Sequence, residues 1–220
     1  MNYFDRYKLR VGQDGDNPQD SIANRSLEIV SNAFNNSPSL FKVLVDNIEN
    51  NVVMNKGKTI NDKRMLFRHD SNVKLGSIID FNEKKYIAVN LVMDTNELYP
   101  SASLKLCNTS FELEGETTQI LIGTDPRTNR PVYKTVESSP ITLNCIAEKT
   151  IFRSTTDEAI NLPEGQILIT IPYIEHKSIA ESQKIDLYND TYQIIDVDDT
   201  ESINKVGIRK LTARRVVSTE

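Results

Sequence analysis

Ile79-Asp80-Phe81-Asn82-Glu83-Lys84-Lys85-Tyr86-Ile87-Ala88-Val89-Asn90 decides how this chain folds, because the chain writes it a second time. The second copy is Ile185-Asp186-Leu187-Tyr188-Asn189-Asp190-Thr191-Tyr192-Gln193-Ile194-Ile195-Asp196. Ile79 aligns with Ile185, Phe81 with Leu187, Tyr86 with Tyr192 and Val89 with Ile195, without a gap. Before each turn, apolar residues alternate with polar ones, the period of a half-buried strand. Asn82-Glu83-Lys84-Lys85 and Asn189-Asp190 supply turn chemistry between apolar runs. A third strand is expected after each hairpin, at Leu104-Lys105-Leu106 and at Ile208-Arg209-Lys210-Leu211. Any two meander hairpins share the alternation; four apolar positions matched in register point to duplication of a small β-barrel. The expected fold is mainly β, with two tandem small β-barrels of meander type and one N-terminal α-helix added to the first. The expected domains are residues 1–109 and 110–220.

The helix is expected over residues 18–35. Asp16 or Asn17 can cap it, and Pro18 suits the first helical position. Ile22, Ile29, Ala33, Leu27, Val30 and Phe34 make an apolar face, and Asn36-Ser37-Pro38 stops the helix. It has no counterpart in the second half. Residues 119–134 read as an inserted hairpin, two apolar runs around a long polar tip. Such a tip adds little to a core, so its use is expected outside the chain.

With 38% hydrophobic and 26% charged residues, the chain has the balance of a globular protein rather than a disordered one. A net charge of −5 argues against broad, sequence-independent clamping of nucleic acid. Cys107 and Cys145 form no CxxC and no disulfide framework, and are expected to be buried thiols of a protein made in a reducing compartment. Residues 1–10 lack the apolar core of a signal sequence, and no run approaches the roughly 18 apolar residues of a membrane span. A soluble protein made in the cytoplasm is therefore expected.

Catalytic motifs are sparse. Arg68-His69-Asp70 offers a base beside a carboxylate, but neighbours in a loop rarely face one substrate, and a surface loop is the better reading. No P-loop, GxGxxG, HExxH or GxSxG occurs. The run Asp196-Val197-Asp198-Asp199-Thr200-Glu201 lacks the glycine and the twelfth-position glutamate of a calcium loop. Asp94-Thr95-Asn96-Glu97 is its milder counterpart in the first repeat. No catalytic residue, metal or cofactor is assigned. The residues expected at interfaces are Tyr3, Phe4 and Tyr7 at the N-terminus, Asp125, Arg127, Asn129 and Arg130 at the hairpin tip, and Asp94, Glu97, Asp198, Asp199 and Glu201 in the two acidic loops. Arg127, Arg130 and Lys134 form a basic cluster suited to an acidic patch on a partner.

Leu66-Phe67-Arg68, Gly76, Tyr86, Glu97-Leu98-Tyr99-Pro100 and Leu106-Cys107-Asn108 occur in that order, followed by Asn161-Leu162-Pro163-Glu164-Gly165-Gln166. In these residues the chain resembles the neck, or head–tail connector, proteins of tailed phages of Gram-positive bacteria, also called head-closure or stopper proteins. The resemblance spans most of the chain; the 123–134 hairpin is extra to it. It implies a β-barrel protomer in a homo-oligomeric ring beneath the portal, in the neck of a virion assembled in the host cytoplasm. Its partners would be other copies, portal or adaptor proteins and tail proteins, with packaged DNA passing through without sequence-specific binding and no membrane contact. A tail terminator or tail-completion protein of the same particle is the near alternative. A nucleic-acid- or sugar-binding small barrel is the alternative of another class, for which Tyr86 and Tyr192 are the candidate stacking residues.

Overall fold

The computed structural model describes residues 3, 7, 18–57, 59–68, 70–92, 99–115, 117–124, 127–128, 130–152, 159–161 and 165–216. After helix α1 (Pro18–Asn35), the first barrel comprises β1 (Leu40–Val45), β2 (Ile48–Lys56), β3 (Asp62–Phe67), β4 (Ile78–Phe81), β5 (Lys84–Val92) and β6 (Ser101–Leu106). The second half continues with β7 (Thr109–Leu113), β8 (Thr117–Thr124), β9 (Pro131–Glu137), β10 (Ile141–Glu148), β11 (Thr150–Phe152) and β12 (Ala159–Asn161). It ends with β13 (Gln166–Pro172), β14 (Lys184–Leu187), β15 (Asp190–Asp198), β16 (Ser202–Ile203) and β17 (Val206–Arg215).

The first barrel is closed in the order β1-β2-β3-β6-β5-β4, and the second sheet runs β7-β10-β13-β17-β15-β14. These orders are the same once β8–β9, β11–β12 and β16 are set aside as insertions. Each barrel is two three-stranded meanders joined through the last strand of the second meander, rather than one continuous meander. The first closes where Leu44 and Val45 pair with Asp80 and Ile79. There Asp46 Oδ1 also accepts the Ile78 N–H at 2.8 Å. In the second, β14 and β7 are the two ends of the sheet, with no ladder between them.

The duplication is legible atom by atom. Ile79 pairs with Tyr86, and Ile185 with Tyr192. Each long strand breaks register at the same rung, between Ala88 and Asn90 and between Ile194 and Asp196. Gly76 and Ser182 donate to the carbonyls of Ala88 and Ile194, both at 2.8 Å. The repeat therefore begins earlier than the sequence suggested, at buried Val73 and Ile179. The hairpin turns are Asn82-Glu83 and Tyr188-Asn189, all four with positive φ; two-residue hairpins favour this geometry because its twist matches the strands. The second turn thus sits one residue before the Asn189-Asp190 expected.

The cores conserve volume by exchange. Ala88 faces Leu104 in the first barrel, and Ile194 faces Ala213 in the second. Ala102 and Leu211 occupy the next matching rung, with small and large reversed. A close-packed interior accepts such swaps only when the total volume is kept. Tyr86 and Tyr192 are buried in the two cores.

Candidate interaction surfaces

The two barrels meet over an apolar joint. Ile87, Ile146 and Ile208 are each at most 2% exposed, with Leu75, Ile78, Val89 and Cys107 packed around them. The repeat explains why only one barrel carries this face. The second-repeat counterparts of Leu75, Ile78 and Ile87 are Glu181, Lys184 and Gln193, all exposed; among the described residues nothing covers that face, and its side chains are polar. Gly76 lies against Gly207, where a side chain on either would collide with backbone. Only Cys107 and Asn108 separate β6 from β7. The Asn108 side chain donates to the Ala147 carbonyl and accepts the Ala147 N–H, both at 2.8 Å, standing in for a ladder residue. Lys105 reaches Glu148 at 2.6 Å across the joint. Beside this pair lies a cleft of about 880 Å³, walled by Leu75, Val89, Leu168 and Ile208.

Burial pushes both thiols up to about 12, Cys107 and Cys145 alike. A neutral thiol packed in an apolar wall is a poor nucleophile. Among the described residues, no three His, Cys, Asp or Glu side chains cluster as metal ligands.

Helix α1 forms over the expected residues, but its apolar face is not buried on its own barrel. Among the described side chains of the helix Phe34 alone is buried; Leu27, Val30 and Ile29 are exposed, the last at 62%. The helix is fastened at its C-terminal end. Phe34 stacks on Tyr99, with ring centroids 5.3 Å apart. The Arg68 guanidinium lies 5.6 Å from the Phe34 ring centroid and bonds Asn35. Pro100 accepts the Phe67 N–H at 2.8 Å. The motif residues 66–68 and 99–100 thus converge on one anchor.

The inserted hairpin β8–β9 forms a two-stranded sheet of its own. It replaces the two-residue turn Asp46-Asn47 that joins β1 to β2 in the first barrel. Ile120, Leu121, Ile122, Val132 and Tyr133 are 40–61% exposed. Arg127 and Arg130 are exposed at its tip; Asp125 and Asn129 lie outside the described residues. Tyr3 and Tyr7 are exposed rather than laid on the barrel. Phe4, His69, Asp94 and Glu97 lie outside the described residues.

The acidic loop of the second barrel is engaged within the chain. Asp199 holds Arg209 through two bonds of 2.5 and 2.7 Å. Arg209 is buried, also donates to the Ile174 carbonyl at 2.8 Å, and lies 4.7 Å from the Tyr173 ring centroid. Asp198 caps the Thr200 N–H at 2.8 Å, and bonding to Thr200 holds its carboxyl below the usual range. Glu201 pairs with Lys210. These three carboxylates organise the β15–β16 connection, which a reading of charge alone did not reveal.

Residues 22–106 match the YomX N-terminal domain, and residues 109–214 match the YomX C-terminal domain. The chain belongs to the YomX family. The boundary between the two family domains falls on the Cys107-Asn108 link. One relative, the SPbeta prophage-derived protein YomX of Bacillus subtilis (strain 168), is 30% identical over 179 residues. That match covers 80% of this chain and 82% of the relative. The YomX family membership places the chain among phage-derived proteins. No solved structure matches it.

One further surface was not among those expected. Lys56, Lys63 and Arg64 line a concavity of about 620 Å³ at the end of the first barrel, together with Asp62 and Lys105. The signal was present: residues 56–64 hold four cations and one carboxylate. That segment carries no strand pattern, and only the pairing of β2 with β3 brings Lys56 beside Lys63.

Proposed function

We propose that this protein is a structural component of a phage particle that joins the capsid portal to the tail. Identical copies form a ring that continues the DNA channel and closes the filled head. Its partners are other copies of itself and the portal, adaptor and tail proteins on either side, and its place is the neck of the virion. No catalytic step is assigned to it.

The observation that carries this reading is the hairpin β8–β9. An isolated two-stranded hairpin is marginal in water, and this one exposes apolar side chains and both strand edges. Consecutive side chains alternate between the two faces of the ribbon, so covering all five, at roughly 100 Å² each, takes partner surface on both faces and about 1,000 Å² in total, the size of a stable contact. The exposed face of α1 is a second surface of the same kind, on the other barrel. Two different surfaces on one chain suit the head-to-tail contacts that generate rings. Phage origin and the resemblance to neck proteins supply the setting. The single-strand-binding alternative is weakened because Tyr86 and Tyr192, its stacking candidates, are core residues.

Native mass spectrometry of the purified chain and cryo-microscopy of particles test the proposal. A closed ring between portal and tail is expected. A ring at the tail end would make it a terminator instead, and a monomer absent from particles would refute the assignment.

A further inference from the structure

Lys56 and Lys63 sit directly opposite one another on β2 and β3. Like charges on opposed rungs repel, so this pairing works against the barrel that contains it. Its rung continues the inward-facing series of Met54 opposite Met65 and Val52 opposite Phe67. The two ammonium groups are therefore directed across the barrel's end rather than fanned over its outer wall. On its other side Lys63 faces Leu104, which offers no charge. Among the described residues no carboxylate pairs with either lysine.

The neighbouring groups sharpen the site. Arg64 donates its Nε to Ser101 Oγ at 3.0 Å, which holds the guanidinium while its terminal nitrogens stay open. The one acid in the wall, Asp62, turns a carboxylate oxygen to the Thr59 N–H at 3.2 Å. Lys105, opposite Asp62, is already neutralised by Glu148. The concavity thus presents Lys56, Lys63 and Arg64 against the single carboxylate of Asp62, an excess of positive charge, and no aromatic platform.

We infer that this groove binds the phosphate backbone of duplex DNA. Adjacent strands are about 4.8 Å apart, so the two opposed ammonium groups can each contact a phosphate of one duplex, and Arg64, which leaves the opposite face of β3, a third. Backbone contacts position a duplex without reading its sequence, and the absence of aromatics from the lining argues against stacked single-strand bases. Three cations make a weak contact, one that DNA in a channel can slide across. The inference rests on the proposed function only for the choice of duplex DNA as the polyanion.

The test is fluorescence anisotropy of a labelled random-sequence duplex with the full chain, from 50 to 200 mM salt. Three phosphate contacts give a slope of log affinity on log salt of about −2.7, a fall of roughly 40-fold over that range. The Lys56→Gln, Lys63→Gln double variant should bring the slope to about −0.9 and weaken binding at 50 mM salt at least about tenfold. A control variant, Lys177→Gln with Lys184→Gln on the second barrel, should leave the slope unchanged. Folding is checked separately: without the repelling pair, the double variant should unfold at a urea concentration no lower than wild type. Three results each overturn the inference: no duplex binding at 50 mM salt, an unchanged slope in the double variant, or displacement of the duplex by poly-glutamate at equal charge. A ring imaged at the neck whose protein fails this test would remove the groove alone. A protein that binds as described but is absent from particles would remove the position alone.

Discussion

Replacing Gly76 by alanine should uncouple the two barrels, and the structure supplies the magnitude. Gly76 has φ +84°, and a Cβ there would lie 2.7 Å from the Gly207 carbonyl carbon and closer still to its oxygen. Two costs add. A left-handed alanine costs about 1 kcal/mol. Relieving the collision requires the barrels to part by about an ångström, and such a gap forfeits a quarter to a half of dispersion contacts. At about 2 kcal/mol each for three fully buried isoleucines, that loss is about 1.5–3 kcal/mol, for a total of roughly 2.5–4 kcal/mol. Gly165→Ala isolates the first cost, because Gly165 has φ +78° with nothing within 4 Å of the added atom. Ser182, the repeat counterpart of Gly76, already carries a side chain at φ +69°. Urea denaturation of wild type, Gly76→Ala and Gly165→Ala reads the difference. A Gly76→Ala variant within about 0.5 kcal/mol of Gly165→Ala would refute the claim that the joint is rigid and closely packed at these glycines.

Other outcomes follow from single sites. Asp199→Asn leaves the buried Arg209 with the Ile174 carbonyl and the Tyr173 ring, and should destabilise by about 2 kcal/mol, below the usual cost for a fully buried pair because Asp199 is partly exposed; chemical denaturation measures it. Asp198 has a depressed folded-state pKa, so its stabilisation is present above the ordinary carboxylate value, near about 4, and is lost as pH falls through the lower folded value. Asp198→Asn should flatten that acid limb in a pH series of unfolding midpoints. Cys107 and Cys145, with thiols pushed up to about 12, should react with a disulfide reagent at pH 8 at least about tenfold faster in urea than in the folded protein. Fast labelling of the native chain would contradict their burial.

Much of this fold was legible in the order of residues. The repeat is a local pattern of period two with matched apolar positions, and helix α1 has a proline start and a proline stop, so neighbours in sequence decide both. The turn was misplaced by one residue because Tyr188 is a poor turn former by type, and register with Tyr192 overrides that preference. The candidate surfaces were less legible. Asp198, Asp199 and Glu201 read as an exposed acidic run, but Asp198 caps Thr200 two residues on, and Asp199 and Glu201 find Arg209 and Lys210 across a strand pairing. Lys56 and Lys63 became a site only when β2 and β3 aligned them on one rung.

By itself, then, the sequence determined a mainly β chain in two related halves, the helix and the inserted hairpin, since alternation, turn residues and helical stops act over a few neighbouring residues. Tertiary structure alone decided which outer face of a barrel is covered. Leu75, Ile78 and Ile87 are apolar where the second barrel packs on the first, and their counterparts Glu181, Lys184 and Gln193, uncovered among the described residues, are polar. The same holds for the faces of α1 and β8–β9, whose exposure depends on contacts between residues far apart in the chain, which no local pattern encodes.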